Sequence, residues 1–272
     1  MKALRGFARL SWLALVGVLV VAGAVALSAC QTALIYHPHS AVVQPDIAGV
    51  SVEHIRTTDG QTLVAWYAPP PQSGSMRGPI FLYFDGNGGA PEMWDARWRA
   101  MMQGGAGFLA VYYRGYSGST GHPSETGLHE DARAGYDWLI AHGYAAKDIV
   151  IDGFSLGSGV AVRLASERPA RALILEAPFT GVDDLAHHRA GVLGSLITQH
   201  FASRDYIGQV HMPVLILHGD ADQAIPFAQG QRLYDLANEP KEFVRMPGST
   251  HVSLVRDGAY AHVFDFLARH PG

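Results

Sequence analysis

Ile149-Val150-Ile151-Asp152-Gly153-Phe154-Ser155-Leu156-Gly157-Ser158-Gly159-Val160-Ala161 is the stretch whose reading decides the fold. The apolar run 149–151 reads as a buried strand, and 155–166 as a helix. Between them a serine stands with Gly153 two residues before it and Gly157 two residues after it. In so tight a strand-to-helix turn, flanking side chains would clash, while the serine itself is lifted into the open. Gly159 and Ala161 are also small and let the helix lie close to the sheet. The pattern G-x-S-x-G alone describes any tight turn with a solvated serine. Its placement between strand and helix is what makes Ser155 a candidate nucleophile.

Working outward, short apolar runs recur at 80–84, 108–112, 172–175 and 214–217, each followed by Gly/Pro punctuation, and 243–246 reads as a later strand. Continuous apolar strands of this length suit a parallel sheet buried on both faces. Helical stretches alternate with them at 124–141, 155–166, 227–237 and 254–268. Before these, 52–57 and 62–67 flank Asp59-Gly60 and read as an antiparallel hairpin. A hairpin leading into strand–helix alternation predicts a mostly parallel sheet with helices on both faces. Ligands of such sheets bind at the carboxyl ends of the strands. Trp94 and Trp98, four apart, read as one buried helix face.

Two polar residues stand just beyond later strands. His218-Gly219-Asp220-Ala221-Asp222 follows 214–217, and Pro247-Gly248-Ser249-Thr250-His251 follows 243–246. A serine hydroxyl is a poor nucleophile until an adjacent base takes its proton. His251 is the candidate base, and then the acid that protonates the leaving group. A carboxylate would fix the imidazole tautomer and stabilise the imidazolium. Asp222, its neighbour Asp220 and, more remotely, Glu176 at the end of 172–175 are the carboxylates in position. The order Ser…Asp…His is the one a strand–turn–helix nucleophile calls for.

Gly153–Gly157, Tyr113-Arg114-Gly115-Tyr116-Ser117 and His218-Gly219-Asp220-Ala221-Asp222 resemble the alpha/beta-hydrolase superfamily over roughly residues 50–270. Within it the chain looks like the small-lid branch called serine aminopeptidase-like or monoglyceride-lipase-like, near the acyl-protein depalmitoylases. The resemblance implies an eight-stranded, mostly parallel sheet with helices on both faces and a short lid insertion at about 179–209. It implies that Asp222, last in H-G-x-x-D, is the acid, and that no cofactor or metal is needed. The oxyanion donors would be the backbone N–H groups of Leu156 and Asn87. Relatives usually carry His-Gly-Asn where this chain has Asp85-Gly86-Asn87. If Asp85 faces the site, its charge opposes the oxyanion; if it points to the helix starting near Pro91, it stabilises that N-terminus. His218 is expected to support its loop, Arg114 to form a structural ion pair, and Tyr112 and Tyr113 to pack. The lid mixes Leu185, Val192, Leu193, Leu196, Ile197 and Phe201 with His187, His188, Arg189 and His200. Such a segment either shelters acyl chains or simply covers the sheet edge. His187-His188 is not a metal site: adjacent helical residues point in different directions, and no third ligand is spaced to join them.

The first thirty residues read as an address. Lys2, Arg5 and Arg9 precede an uncharged apolar run, 10–27, which ends in Leu27-Ser28-Ala29-Cys30. A basic start, an apolar middle and a small-residue site make a secretory signal. The last four residues resemble the lipobox of bacterial lipoproteins, which implies cleavage before Cys30 and a diacylglycerol on its sulfur. The alternative is an uncleaved anchor, since eighteen apolar residues lie at the low end of what spans a bilayer. Either way the body, a tether at 30–49 and a domain at 50–272, is expected outside the cytoplasm on a membrane. Gln31 in place of an aspartate points to the periplasmic face of the outer membrane.

The whole chain has 272 residues and a formal charge of −4, and without residues 1–29 the body is at −7. A mildly acidic body without a basic patch excludes nucleic acid as the main partner. The single cysteine excludes an internal disulfide. The expected activity is cleavage of carboxylic esters or thioesters on a small-molecule acyl substrate, as by a carboxylesterase, lipase or thioesterase. A peptidase with the same triad, and a non-catalytic envelope lipoprotein that binds through this fold, are the alternatives. Substrate identity and oligomeric state are not legible.

Overall fold

The computed structural model describes residues 31–39, 42–73, 76–89, 91–190 and 197–272. The apolar run 10–27, Cys30 and lid residues 191–196 lie outside the described residues. The chain divides into two units, Met1–His37 and Pro38–Gly272. In the first, residues 31–35 form a helical turn. Among the described residues no helix is long and apolar enough to cross a membrane. All that follows concerns the second unit.

Its frame is an eight-stranded sheet. The strands are β1 (Ser51–Arg56), β2 (Thr62–Ala68), β3 (Ile80–Phe84), β4 (Gly107–Val111), β5 (Ile149–Phe154), β6 (Ala172–Glu176), β7 (Val214–Gly219) and β8 (Lys241–Met246). Their spatial order is β1-β2-β4-β3-β5-β6-β7-β8. β2 runs antiparallel to β1 and β4, and every other pair is parallel. The turn between β1 and β2 uses Gly60 at φ +86°, a backbone conformation that L side chains disfavour. Every residue of β3 to β7 is buried, whereas β8 at the edge carries Lys241, Glu242 and Arg245. Charges on an edge strand oppose pairing with other chains.

The longer helices are α1 (Asp95–Gln103), α2 (Glu125–Ala141), α3 (Leu156–Ala165), α4 (Val182–Ala190), α5 (Phe227–Leu236) and α6 (Ala259–Arg269). Side chains alternate across a strand, and β3 shows how this sorts the layers. Phe81 and Tyr83 meet Tyr260 of α6 and Trp98 of α1, with ring centroids 6.0 and 5.2 Å apart. Leu82 between them faces α2, where a Cβ added to Gly135 would come within 3.2 Å of its Cδ1. So α1 and α6 cover one face, and α2 covers the other. Ser124 caps α2, its hydroxyl accepting the Gly127 N–H at 3.1 Å.

Two expectations are corrected. The last helix begins at Ala259 rather than 254, because Gly258 stands at φ +96° and breaks the helical path. Residues 251–258 form turns instead. Trp94 and Trp98 do not share a helix face: Trp94 closes a 3-10 turn (Pro91–Trp94), and only Trp98 sits in α1, fully buried. The proline-led turn shifts the helix start past Trp94.

Candidate active site

Ser155 sits between β5 and α3 at φ +52°, ψ −118°, a strained conformation for a residue with a Cβ. The strain is held from both sides. Its N–H donates to the Glu176 carbonyl of β6 at 2.9 Å, and its carbonyl accepts from the Ser158 N–H and Oγ at 2.9 and 2.6 Å. The glycines are there for space. A Cβ on Gly153 would lie 2.4 Å from the Gly157 carbonyl oxygen, and one on Gly157 would lie 2.1 Å from that of Phe84.

The fold brings Ser155, His251 and Asp222 together. His251 Nε2 lies 2.9 Å from Ser155 Oγ, and His251 Nδ1 lies 2.7 Å from Asp222 Oδ2. An ionised carboxylate only accepts, so Nδ1 carries the proton and Nε2 is left to accept from the serine. Asp222 Oδ1 accepts the N–H groups of Ala224 and Ile225, both at 2.8 Å. Burial raises the Asp222 carboxyl, but hydrogen bonds from His218, His251 and the Ile225 N–H outweigh it and hold it well below the usual range. The group therefore stays anionic and oriented.

The rival carboxylates are occupied elsewhere. Asp220 accepts the Gly248 N–H at 2.7 Å and Arg245 Nε at 2.9 Å, stitching the β8 loop to the β7 loop. Glu176 is wholly buried against Arg97. His218 Nε2 lies 3.1 Å from the Ile225 carbonyl and 3.5 Å from Asp222 Oδ2, which braces the loop that carries Asp222. Arg114 pairs with Asp131 and Asp59, both structural contacts. Tyr113 does more than pack, because its hydroxyl donates to the Asp85 carbonyl at 2.9 Å.

Leu156 opens α3, and the first N–H groups of a helix have no partner within it. Asn87 lies on the loop after β3, where Tyr116 holds its carbonyl at 2.8 Å. Asp85 turns under this loop. Its carboxylate accepts the Gly86 N–H at 2.7 Å, the Trp94 indole N–H at 2.7 Å and the Tyr83 hydroxyl at 3.2 Å. A Cβ on Gly89 would fall 1.7 Å from its Oδ2, so the loop closes over the carboxylate. Burial is the main cause that raises the Asp85 carboxyl, to about 6. A raised folded value means the folded state binds this proton more tightly than the unfolded chain does. The resulting stabilisation is complete below the unfolded carboxylate value and fades as pH rises through about 6. Asp85→Asn removes that downward contribution. Thermal melts from pH 4 to 7 should therefore give the variant a more positive slope of Tm against pH than the parent. Equal slopes would mean that Asp85 is not held protonated by the fold.

The described parts of the lid are fastened firmly. Glu125 accepts the N–H groups of His200 and Phe201 at 2.6 and 2.7 Å, and Arg204 pairs with Asp183 and Asp184. Phe201 is buried at φ +40° against Gly159, where an added Cβ would meet its own Cβ at 3.0 Å. Phe201 thus covers α3, the helix that follows Ser155. Among the described residues no group of three His, Cys, Asp or Glu could hold a metal ion. A cavity of about 610 Å³ lined by Lys147, Arg171, Met212 and His270 lies at the amino ends of the strands, away from the triad.

Arg97 carries no signal in the sequence, while Trp94 and Tyr83 read there only as packing residues of a helix face and an apolar strand. Arg97 is 1% exposed and lies one residue before Trp98 in a short polar-looking helix. Nothing in the spacing marks it; only the partners that surround it do.

No family model matches the chain. An uncharacterized protein of Mycobacterium tuberculosis is 38% identical to it over 230 residues, covering 81% of this chain and 80% of that one. The lysophosphatidylserine lipase ABHD12 of Danio rerio is 32% identical over 75% of this chain and 60% of that protein. Among solved structures, an esterase of Pyrococcus furiosus aligns with a TM-score of 0.68 at 19% identity, over 87% of this chain and all of that one. At that identity the likeness is one of fold.

Proposed function

This chain belongs to the alpha/beta-hydrolase superfamily, and from that premise we propose that it is a serine hydrolase which cleaves carboxylic esters or thioesters through an acyl-enzyme on Ser155. The observation that carries the reading is the continuous hydrogen-bonded line Ser155–His251–Asp222, at 2.9 and 2.7 Å. A relative named a lysophosphatidylserine lipase supports an acyl substrate. Val252, next to His251, is 63% exposed and adds apolar surface beside the base.

The steps follow from the geometry. His251 Nε2 takes the hydroxyl proton as Ser155 Oγ attacks the acyl carbon. The carbonyl oxygen becomes an oxyanion, which the N–H groups of Leu156 and Asn87 stabilise. The imidazolium then gives its proton to the departing alcohol or thiol, leaving the acyl group on Ser155. Water, deprotonated by His251, repeats the attack and releases the acid. Asp222 keeps Nδ1 protonated throughout and stabilises the imidazolium.

Tethering at Cys30, on the periplasmic face of the outer membrane, is part of the same proposal, supported by the run 10–27 and Leu-Ser-Ala-Cys. Cells fed radiolabelled palmitate should label the parent and not Cys30→Ala; a labelled variant sinks the lipid anchor.

The test of the activity is labelling by a fluorophosphonate together with hydrolysis of p-nitrophenyl esters of increasing acyl length. A reactive serine and turnover with a chain-length optimum are expected. A folded protein that neither labels nor turns over any ester would make the fold a binding platform here.

A further inference from the structure

Beneath the nucleophile lies a buried charged cluster that the reaction itself does not use. Arg97 of α1 presents both Nη atoms to the Glu176 carboxylate, Nη2 at 3.2 Å from Oε2, and donates to the Tyr260 hydroxyl at 3.0 Å. Tyr260 donates in turn to Asp152 of β5 at 2.9 Å. Arg97, Glu176 and Asp152 are each 1% exposed or less. Desolvation of such groups is costly, and replacing an ion pair of this kind by apolar residues is often neutral or stabilising. Stability alone is thus a weak reason for an arginine here.

Its position offers a better one. The guanidinium carbon lies 5.6 Å from the centroid of Phe154 and 5.6 Å from that of Trp94, with Tyr83 at 4.6 Å, all within cation–π range. Phe154 precedes Ser155 and packs on the His251 ring at 5.0 Å. Glu176, the ion-pair partner, supplies the carbonyl that holds the Ser155 N–H. On the other side, Trp94 and Tyr83 hold the Asp85 carboxylate that underpins the loop carrying Asn87. One side chain therefore touches the supports of both halves of the site.

We propose that Arg97 is a positioning residue, a strut that locks the Ser155 turn to the Asn87 loop so that nucleophile, base and oxyanion donors keep a common register. Arg97 meets no reacting atom, and it acts through Glu176, Phe154, Trp94 and Tyr83. The proposal rests on the serine-hydrolase reading above. Misplacement of reacting groups by about an ångström costs roughly 100-fold in rate without a matching loss of binding.

The experiment compares parent, Arg97→Met, Arg97→Lys and the neutral double variant Arg97→Met/Glu176→Gln in p-nitrophenyl ester hydrolysis, fluorophosphonate labelling rate and Tm. Arg97→Met strands a buried carboxylate, so its Tm should fall, and kcat and labelling should drop by about 10- to 100-fold with KM within about twofold. The double variant removes the stranded charge and should recover Tm while its kcat stays low. Arg97→Lys keeps the charge without the planar fork and should regain only part of the rate. If kcat recovers together with Tm in the double variant, or if Arg97→Met turns over like the parent, Arg97 is structural and the proposal is overturned. Should Arg97→Met fail to fold, the double variant alone decides. A parent that neither labels nor hydrolyses overturns the hydrolase reading, and the strut with it; a reactive parent with an unaffected variant overturns the strut alone.

Discussion

Ser155→Ala is expected to lower ester hydrolysis by about four to six orders of magnitude and to abolish fluorophosphonate labelling, with Tm unchanged or raised. The size follows from chemistry. Without Oγ there is no atom for His251 Nε2 to deprotonate at 2.9 Å, and no acyl-enzyme can form. The residual rate would come from the oxyanion donors and binding alone. The direction in stability follows from the backbone. Ser155 stands at φ +52°, and alanine inherits the same strain while shedding a polar group that is 9% exposed. The check is kcat for the best p-nitrophenyl ester, with circular dichroism to establish the fold. A variant retaining more than about a hundredth of the rate would remove Ser155 from the mechanism.

Asp222→Asn should cost about four orders of magnitude in kcat, and Asp220→Asn less than about tenfold. An asparagine at 222 can turn its amide N–H₂ toward Nδ1, forcing the imidazole proton to Nε2, where it can no longer accept from the serine. The carboxylate also supplies the charge that stabilises the imidazolium, and here hydrogen bonds hold it ionised. At Asp220 the partners are the Gly248 N–H and Arg245. An amide oxygen still accepts the Gly248 bond, so the loop keeps its path and only an exposed ion pair is weakened. Measuring kcat for both variants under the same conditions separates them. Equal losses would show that Asp220 matters as much as the residue that touches His251.

Much of this was legible because it is local. The hairpin at Asp59-Gly60, the strand-to-helix turn around Ser155 and the His251 loop are each built from residues within a few positions of one another. Glycine placement and apolar runs report them directly. The errors were local too. The last helical stretch reads from 254, but Gly258 at φ +96° starts the helix later. Trp94 and Trp98 have helical spacing, yet the turn opening at Pro91 keeps them apart.

Asp85 shows the limit from the other side. The reading offered two destinations for its charge, the oxyanion position or a helix N-terminus. The carboxylate instead accepts from Gly86, Tyr83 and the indole of Trp94 beneath the loop. A destination nine residues away on a turn of unpredicted path is not written in the motif.

By itself the sequence determined the strand–helix alternation, the tight turn around Ser155 and the chain order Ser…Asp…His, since backbone sterics and short-range hydrophobic patterns set these. Only the tertiary structure decided that Asp222 rather than Asp220 reaches His251, that Asp85 is drawn under its loop, and that Arg97 ties Glu176 to Phe154 and Trp94. Ser155 and His251 are 96 positions apart, and Arg97 and Glu176 are 79. Contacts at such separations depend on the order in which the strands pair and on their register, because the loops and helices that carry these residues are placed by the strands they follow.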